Sequence, residues 1–520
     1  MSTSVGSPAP ASRLGGVARG STANLLGAVV SAGATLGLTV VVTQGLPQDS
    51  AGVFFSATSL FLVASAVGQL GTNVGLVYFL SRARSLGQAG ARRPLFLTAA
   101  RPVLVVAFAM TVALFLFARD VSEVINPDHV SRSAAYLRGT ALFIPLAALE
   151  NVTLAGTRGL GSMRANVITE QLTRPALQLL LVLLSVSLLG GRDLGLAWAV
   201  AYLPAALLAV HYWRRLGART DRRGTTTAPT DDVNAAVPSS GTFWRFTAPR
   251  AAAGIAQVAM QRLDIVLVAA MAGAVPAAIY TASTRFLVLG QMGQRAISLA
   301  VQPRLGEALA VGDLAHAKQL YRVSTSWLML ITWPMYLMFA LFGERLLGLF
   351  GSGYSAGHAV LLLLSLTMLL ATGCGMVDMV LVMAGRSSWS LANLGLSLGV
   401  QMGVDVWLIP SHGILGAAVG WAAGIVAANV VPMVQVAWAV RLHPFGRSTI
   451  VTVAVVAACF GVVPGIVRLL LGNTWWGLLA TSVLGGGAYL AALWRLRHLL
   501  DLTALAGVRR GRRATAGRAD

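Results

Sequence analysis

Apolar runs of about twenty residues alternate with short polar breaks along almost the whole chain. Each run is long enough to cross a ~30 Å hydrocarbon core as a helix. They predict fourteen spans, roughly 20–43, 52–79, 96–118, 133–156, 165–190, 194–213, 246–272, 275–302, 323–343, 357–384, 387–409, 413–440, 449–470 and 474–494. The longest polar stretch inside the chain, "GARTDRRGTTTAPTDDVNAAVPSSGT" at 217–242, reads as a flexible linker from its Thr, Pro, Asp and Gly content.

A repeat is visible across that linker. At an offset of 225 residues, "ATSLFLVASAVGQL" (57–70) lies over "ASTRFLVLGQMGQR" (282–295), with six of fourteen positions identical, among them Phe61/Phe286, Gly68/Gly293 and Gln69/Gln294. Both segments are the second span of a six-span unit and run in the same direction, so the halves are expected to be parallel repeats about an axis along the membrane normal. The predicted fold is an all-α polytopic membrane protein: two six-helix bundles in pseudo-two-fold repeat, plus two C-terminal accessory helices. The expected organisation is a disordered cytoplasmic N-terminus (1–18), a first bundle (19–216), a linker (217–242), a second bundle (243–442), two accessory spans (443–496) and a basic cytoplasmic tail (497–520).

Within the spans, polar residues fall in stripes, and ionisable groups in a membrane helix mark cavities or pathways. The seventh span carries Arg250, Gln257, Gln261 and Asp264 within about 40° of one face at 100° per residue, with Arg262 beside it. The eighth carries Tyr280, Thr284, Gln291, Arg295, Ser298 and Gln302, bordered by Arg285. The fifth has Asn166, Glu170, Arg174 and Gln178 on an i+4 ridge, and the eleventh has Asn393, Ser397, Gln401 and Asp405 on another. Glu150 and Asn151 lie in the fourth span, Gln69 and Asn73 in the second.

Structural readings compete with functional ones at several of these positions. Glu170–Arg174 has the spacing of an intrahelical ion pair, and Arg262 with Asp264 could pair through a neighbouring helix. Arg250 and Arg138 lie near span ends and could snorkel. Asp378 is either a helix-contact acid or a protonatable one. Arg285 and Arg295 resist such readings, because they lie well inside a span with no acid in their own helix. The candidate substrate-binding residues are therefore Arg250, Gln257, Gln261, Arg262, Arg285, Gln291 and Arg295; the candidate ion-coupling acids are Glu150, Glu170, Asp264 and Asp378. Glycines at four-residue spacing, Gly33/Gly37, Gly395/Gly399 and Gly416/Gly420/Gly424, read as helix packing.

Composition supports the membrane reading and changes one point. Hydrophobic residues make up 56% of the chain, charged residues only 11%, and the mean hydropathy is +0.73. The net charge of +21 would suit nucleic acid, but its distribution follows the positive-inside rule. With the N-terminus cytoplasmic, 27 of 39 basic residues fall on the cytoplasmic side and five outside (Arg119, Arg132, Arg192, Arg345, Arg468). Nucleic acid is thus not an expected partner, whereas membrane lipid is, the basic tail touching anionic headgroups. The spans hold seven arginines against five acids, so a polar cavity should favour an anion. The chain shows no HExxH and no GxxxxGK[ST] pattern. Cys374 and Cys459 stand singly in spans. Neither an enzyme nor a cofactor or metal is expected. No cleavable signal peptide is evident in residues 1–18, and the first span is expected to target the membrane.

The segments "QRLDIVLVAAMAGAVPAAIYTASTRF" (261–286), "LFGSGYSAGHAVLLLLS" (349–365), "MAGRSSWSLANLGLSL" (383–398) and "LIPSHGILGAAVGWAAGI" (408–425) together resemble the polysaccharide-exporter branch of the multidrug/oligosaccharidyl-lipid/polysaccharide (MOP) flippase superfamily. The resemblance covers most of residues 20–496. It implies two six-helix bundles facing a central cavity plus two extra helices. It further implies alternating access that carries a polyprenyl-pyrophosphate-linked glycan to the outer leaflet of a bacterial cytoplasmic membrane, both termini cytoplasmic, for cell-surface polysaccharide or lipopolysaccharide synthesis. Glycan polymerase and glycosyltransferases are the partners it implies. Arginines in such a cavity would meet the pyrophosphate, because the planar guanidinium binds phosphate oxygens bidentately and stays charged. The alternative is a proton- or sodium-coupled exporter of small amphiphiles, with an acid such as Asp264 or Asp378 as the coupling site; a third reading is a non-transporting scaffold for glycan assembly.

Overall fold

The computed structural model describes residues 10–224, 238–497 and 499. Every regular element among them is helical. In lipid this follows from backbone chemistry, since only a helix satisfies each N–H and C=O within its own segment. Each of the fourteen expected spans is helical, and thirteen are long and apolar enough to cross a membrane. The eighth, Ala274–Ala310, is 37 residues long but is not among the thirteen; it is the span that carries Arg285, Gln291, Gln294 and Arg295. The expected disorder of residues 1–9, most of the linker (225–237) and nearly all of the basic tail lie outside the described residues. From Pro10 the chain is helical, earlier than its Ser/Gly/Ala content suggests, and the linker is shortened by helix at both ends, to Gly224 and from Ser240.

By contacts the chain forms two units, Met1–Ala278 and Ile279–Asp520. In the first, the second span is the most buried. It is broken: Gln48–Gln69 and Thr72–Ser85 are separate helices, with Leu70 and Gly71 at φ 49° and 69°. Glycine is required at the second of these, because a Cβ on Gly71 would lie 2.5 Å from the Ala251 amide nitrogen of the seventh span. Four residues on, Gly75 meets Thr247 the same way, so the seventh span (Ser240–Ala272) docks on the second at backbone distance. The fifth span is also irregular, with a π-helical segment, Val167–Thr173, ahead of Arg174–Leu189.

In the second unit the eleventh and twelfth spans, Ser387–His412 and Ile414–Ala439, form a tight hairpin. The polar ridge Asn393, Ser397, Gln401 and Asp405 is buried there against the glycine stripe, and a Cβ on Gly420 would lie 1.9 Å from Asp405 Oδ1. Asn393 and Gln435 exchange amide hydrogen bonds of 2.6 and 3.0 Å. That ridge is a helix contact. Gly416, Gly420 and Gly424 pack as expected, but Gly395 and Gly399 do not: a Cβ on either would meet no atom within 4 Å. Of the two glycines aligned in sequence, Gly68 has room for a Cβ at 3.6 Å from Ala107 of the third span, whereas a Cβ on Gly293 would lie 2.9 Å from Ile331 of the ninth.

Candidate functional site

The seventh span presents Arg250, Gln257 and Gln261 as an exposed polar line. Its docking on the second span, through Thr247 and Ala251 against Gly71 and Gly75, occupies the face next to that line and leaves the line itself uncovered. Arg250 is held locally, its guanidinium carbon 3.6 Å from the Phe246 ring centroid and its Nη1 donating to the Phe246 carbonyl. Phe246 in turn stacks on Tyr78 at 4.4 Å. Lower on the same helix Arg262 is half-buried, and Asp264 is 2% exposed. Asp264 Oδ1 accepts a 2.8 Å hydrogen bond from the Ile265 amide. The helical wheel places Asp264 with Arg250, Gln257 and Gln261, but closer packing at that level removes it from the exposed line.

The eighth span is positioned by its small residues. A Cβ on Gly290 would lie 2.0 Å from the Tyr336 hydroxyl, and Ser283 donates to the Gly357 carbonyl at 3.4 Å. Ser298 contacts Met376 Sδ at 2.9 Å. Tyr280 is fully buried, while Thr284, Arg285 and Gln291 are half-buried and Arg295 is exposed. The stripe therefore grades from buried to exposed along the helix.

The acids are tied elsewhere. Glu150 is 0% exposed, and both its carboxylate oxygens accept from Arg174 Nη1 at 3.2 Å. The i+4 pairing of Glu170 with Arg174 does not form, because the π turn between them changes the register. Eight residues away on both helices, Arg158 donates to Asn166 Oδ1 at 2.8 Å. The antiparallel fourth and fifth spans are thus joined by two polar rungs. Arg174 also lies 5.1 Å from the Tyr202 ring, and Tyr202 packs on Phe61, which draws the sixth and second spans into the same cluster. Asp378 is exposed and accepts from the Ser390 hydroxyl. Glu170 is half-buried. Sequence reasoning missed the Glu150–Arg174 bond because no periodicity within one helix reports a partner on the next. Among the described residues, no group of three or more His, Cys, Asp or Glu could hold a metal.

These features define a class: a polytopic helical protein with cationic polar faces on two long spans. The MatE family model matches residues 249–407, from the seventh span into the eleventh. Among solved structures the fold is similar to that of the lipid II flippase MurJ in an inward closed conformation, at 11% identity over 92% of this chain and 99% of that one, TM-score 0.70. It is similar to an inward-facing multidrug resistance MATE family transporter of the MOP superfamily, at 17% identity over 78% of this chain and 93% of that one, TM-score 0.61. A MOP superfamily transporter from Pyrococcus furiosus, with a binding pocket of reversed polarity, gives 16% identity over 81% of this chain and 94% of that one, TM-score 0.53. No curated protein matches the chain in sequence. The chain thus shares its helical fold with both a multidrug resistance transporter and a lipid II flippase.

Proposed function

We propose that the protein is a flippase that moves a polyprenyl-(pyro)phosphate-linked oligosaccharide across a bacterial cytoplasmic membrane by alternating access. The observation that carries this reading is the division of charge. Within the apolar stretches 246–272 and 275–302 of the seventh and eighth helices, the exposed and half-exposed ionisable groups are Arg250, Arg262, Arg285 and Arg295, among glutamines; Arg245, Arg304 and Glu307 are exposed on the helix ends beyond them. The one acid within those stretches, Asp264, is buried and accepts a hydrogen bond from the Ile265 amide. Glu150 is committed to Arg174. On each span, a face with that balance suits a phosphate-bearing head, with the neighbouring polar groups against the sugar. An acid-coupled exporter of cations would instead need an acid open to its substrate, for which exposed Asp378 and half-buried Glu170, on other spans, are the candidates.

The likeness to MurJ, which extends over nearly all of both chains, is in keeping with this reading. In the cell the substrate would come from glycosyltransferases and pass to a polymerase. The test is reconstitution into vesicles with a fluorescent polyprenyl-pyrophosphate glycan in the inner leaflet, read by accessibility to a quencher outside. Transport blocked by unlabelled lipid-linked pyrophosphate but not by drug-like cations supports the flippase. The opposite pattern supports the exporter, and no transport at all supports the scaffold.

A further inference from the structure

The last two spans look, in sequence, like a lipid-facing appendage. Much of their surface is indeed apolar and exposed, Leu469, Leu470, Trp476 and Trp494 among it. Their other face tells more. It packs on the ninth span, Leu314–Leu347, around a core of Leu330, Val456, Cys459 and Phe460.

The ninth span is interrupted twice. Pro334 has no N–H, so the Leu330 carbonyl, four residues earlier, loses the donor it would have in a regular helix. Phe342, at φ −112° and ψ 16°, breaks the helix again one turn before its end. In hydrocarbon a carbonyl without a donor is costly. Both places are met by side chains from the accessory spans. Tyr489, on Trp475–Arg495, donates its hydroxyl to the Leu330 carbonyl at 2.6 Å. Arg468, on Val463–Leu471, donates to the Leu341 carbonyl, next to the break, at 2.5 Å. Phe460 holds the Tyr489 ring, centroids 5.3 Å apart at 73°. Beyond the break, Asn473 donates to Glu344 at 2.7 Å, and its carbonyl accepts from Arg345. At the far end Ser448 and Ser326 are hydrogen-bonded at 3.1 Å.

We infer that the two accessory spans are a brace for the ninth span, in which Tyr489 and Arg468 stand in for backbone donors where that helix bends. They are positioning residues. Their partners are main-chain carbonyls at a proline and at a helix break, so their role is to hold the shape of the ninth span. This goes beyond the flippase reading and does not depend on it.

The test uses a suppressor that a merely structural tyrosine would not have. In full-length protein in nanodiscs, hydrogen exchange is followed by mass spectrometry on peptides spanning 328–346. Tyr489→Phe should raise exchange there at least tenfold while leaving the eleventh and twelfth spans unchanged. Pro334→Ala restores a backbone N–H for the Leu330 carbonyl. In that background the effect of Tyr489→Phe should fall below twofold. Arg468→Met should raise exchange in 339–346 regardless of Pro334→Ala, because it serves the other bend. No change on Tyr489→Phe, or an equal change in both backgrounds, overturns the inference.

Discussion

Glu150→Leu is the most informative single change in the first unit, because it separates holding the fold from coupling to an ion. Glu150 is 0% exposed and Arg174 18%, and the two are joined by paired 3.2 Å contacts. Removing the carboxylate leaves a largely enclosed guanidinium with the Tyr202 face and the more distant charge of Glu170 to meet it. Breaking a buried pair on one side costs about 3–5 kcal/mol, whereas replacing both partners by apolar residues of similar volume is often neutral or stabilising. Glu150→Leu should therefore destabilise by about 3–5 kcal/mol. The double variant Glu150→Leu/Arg174→Met should recover most of that loss. The Arg158–Asn166 rung stays in place in both, so the register of the two helices is a constant. The assay is reversible unfolding by SDS titration in mixed micelles, with vesicle transport measured on the same preparations. A single variant that costs less than about 1 kcal/mol would refute the burial argument. A double variant as damaged as the single would show that the pair carries more than its own charge balance. If the double variant is stable and still transports, Glu150 is not a coupling acid.

Arg285→Ala and Arg295→Ala should each remove a charge-assisted contact worth roughly 1.5–3 kcal/mol, lowering flipping by one to two orders of magnitude at normal protein levels. Arg→Lys should rescue only in part, since an ammonium lacks the fork; unchanged transport in both alanine variants would end the anionic-site reading. Gly420→Val should cost about 1–3 kcal/mol by overpacking, because a Cβ there would meet Asp405 at 1.9 Å, whereas Gly399→Ala, with nothing within 4 Å, should leave thermal stability unchanged. His443 follows the twelfth span, and its pKa is pushed below its usual value by desolvation and by Arg322 and Lys318. Its contribution to stability is therefore full above about pH 6.5 and is lost as pH falls through the lower folded value. His443→Gln should flatten that acid-side slope in a pH series of melting curves. Cysteine labelling should reach the 119–131 loop from one side of the membrane and the 217–242 linker from the other; labelling of both from one side would refute the topology.

The fourteen helices could be located from hydropathy alone because lipid leaves the backbone no alternative to internal hydrogen bonding. The breaks inside them were harder to see. "QLGTN" in the second span contains a single glycine, which a helix tolerates, and only the close approach of Ala251 explains why that glycine takes a left-handed conformation. The π segment at Val167–Thr173 leaves no mark in composition either. Its consequence is large, since it turns an apparent i+4 ridge into two separate contacts with the fourth span.

For polar residues, periodicity locates the face and tertiary packing decides its use. The seventh and eleventh spans show this most plainly. Both carry polar side chains at helical spacing, and both would pass for pathway linings on a helical wheel. On the eleventh, the twelfth span offers Gly416, Gly420 and Gly424, small enough to take the ridge in, and Asp405 ends at 0% exposure. On the seventh, the second span's Gly71 and Gly75 meet Thr247 and Ala251, on the face beside the polar line and not on the line itself, so Arg250, Gln257 and Gln261 are left outward. The position of the partner's glycines, then, distinguishes a polar ridge that joins helices from one that can meet a substrate. The same reasoning bears on the eighth span. Gly290 and Gly293 draw the ninth span onto one side of it, at Tyr336 and Ile331. Arg285 and Arg295 both remain accessible on it, half-buried and exposed respectively, and that asymmetry makes the eighth span the first place to test the proposed phosphate contact.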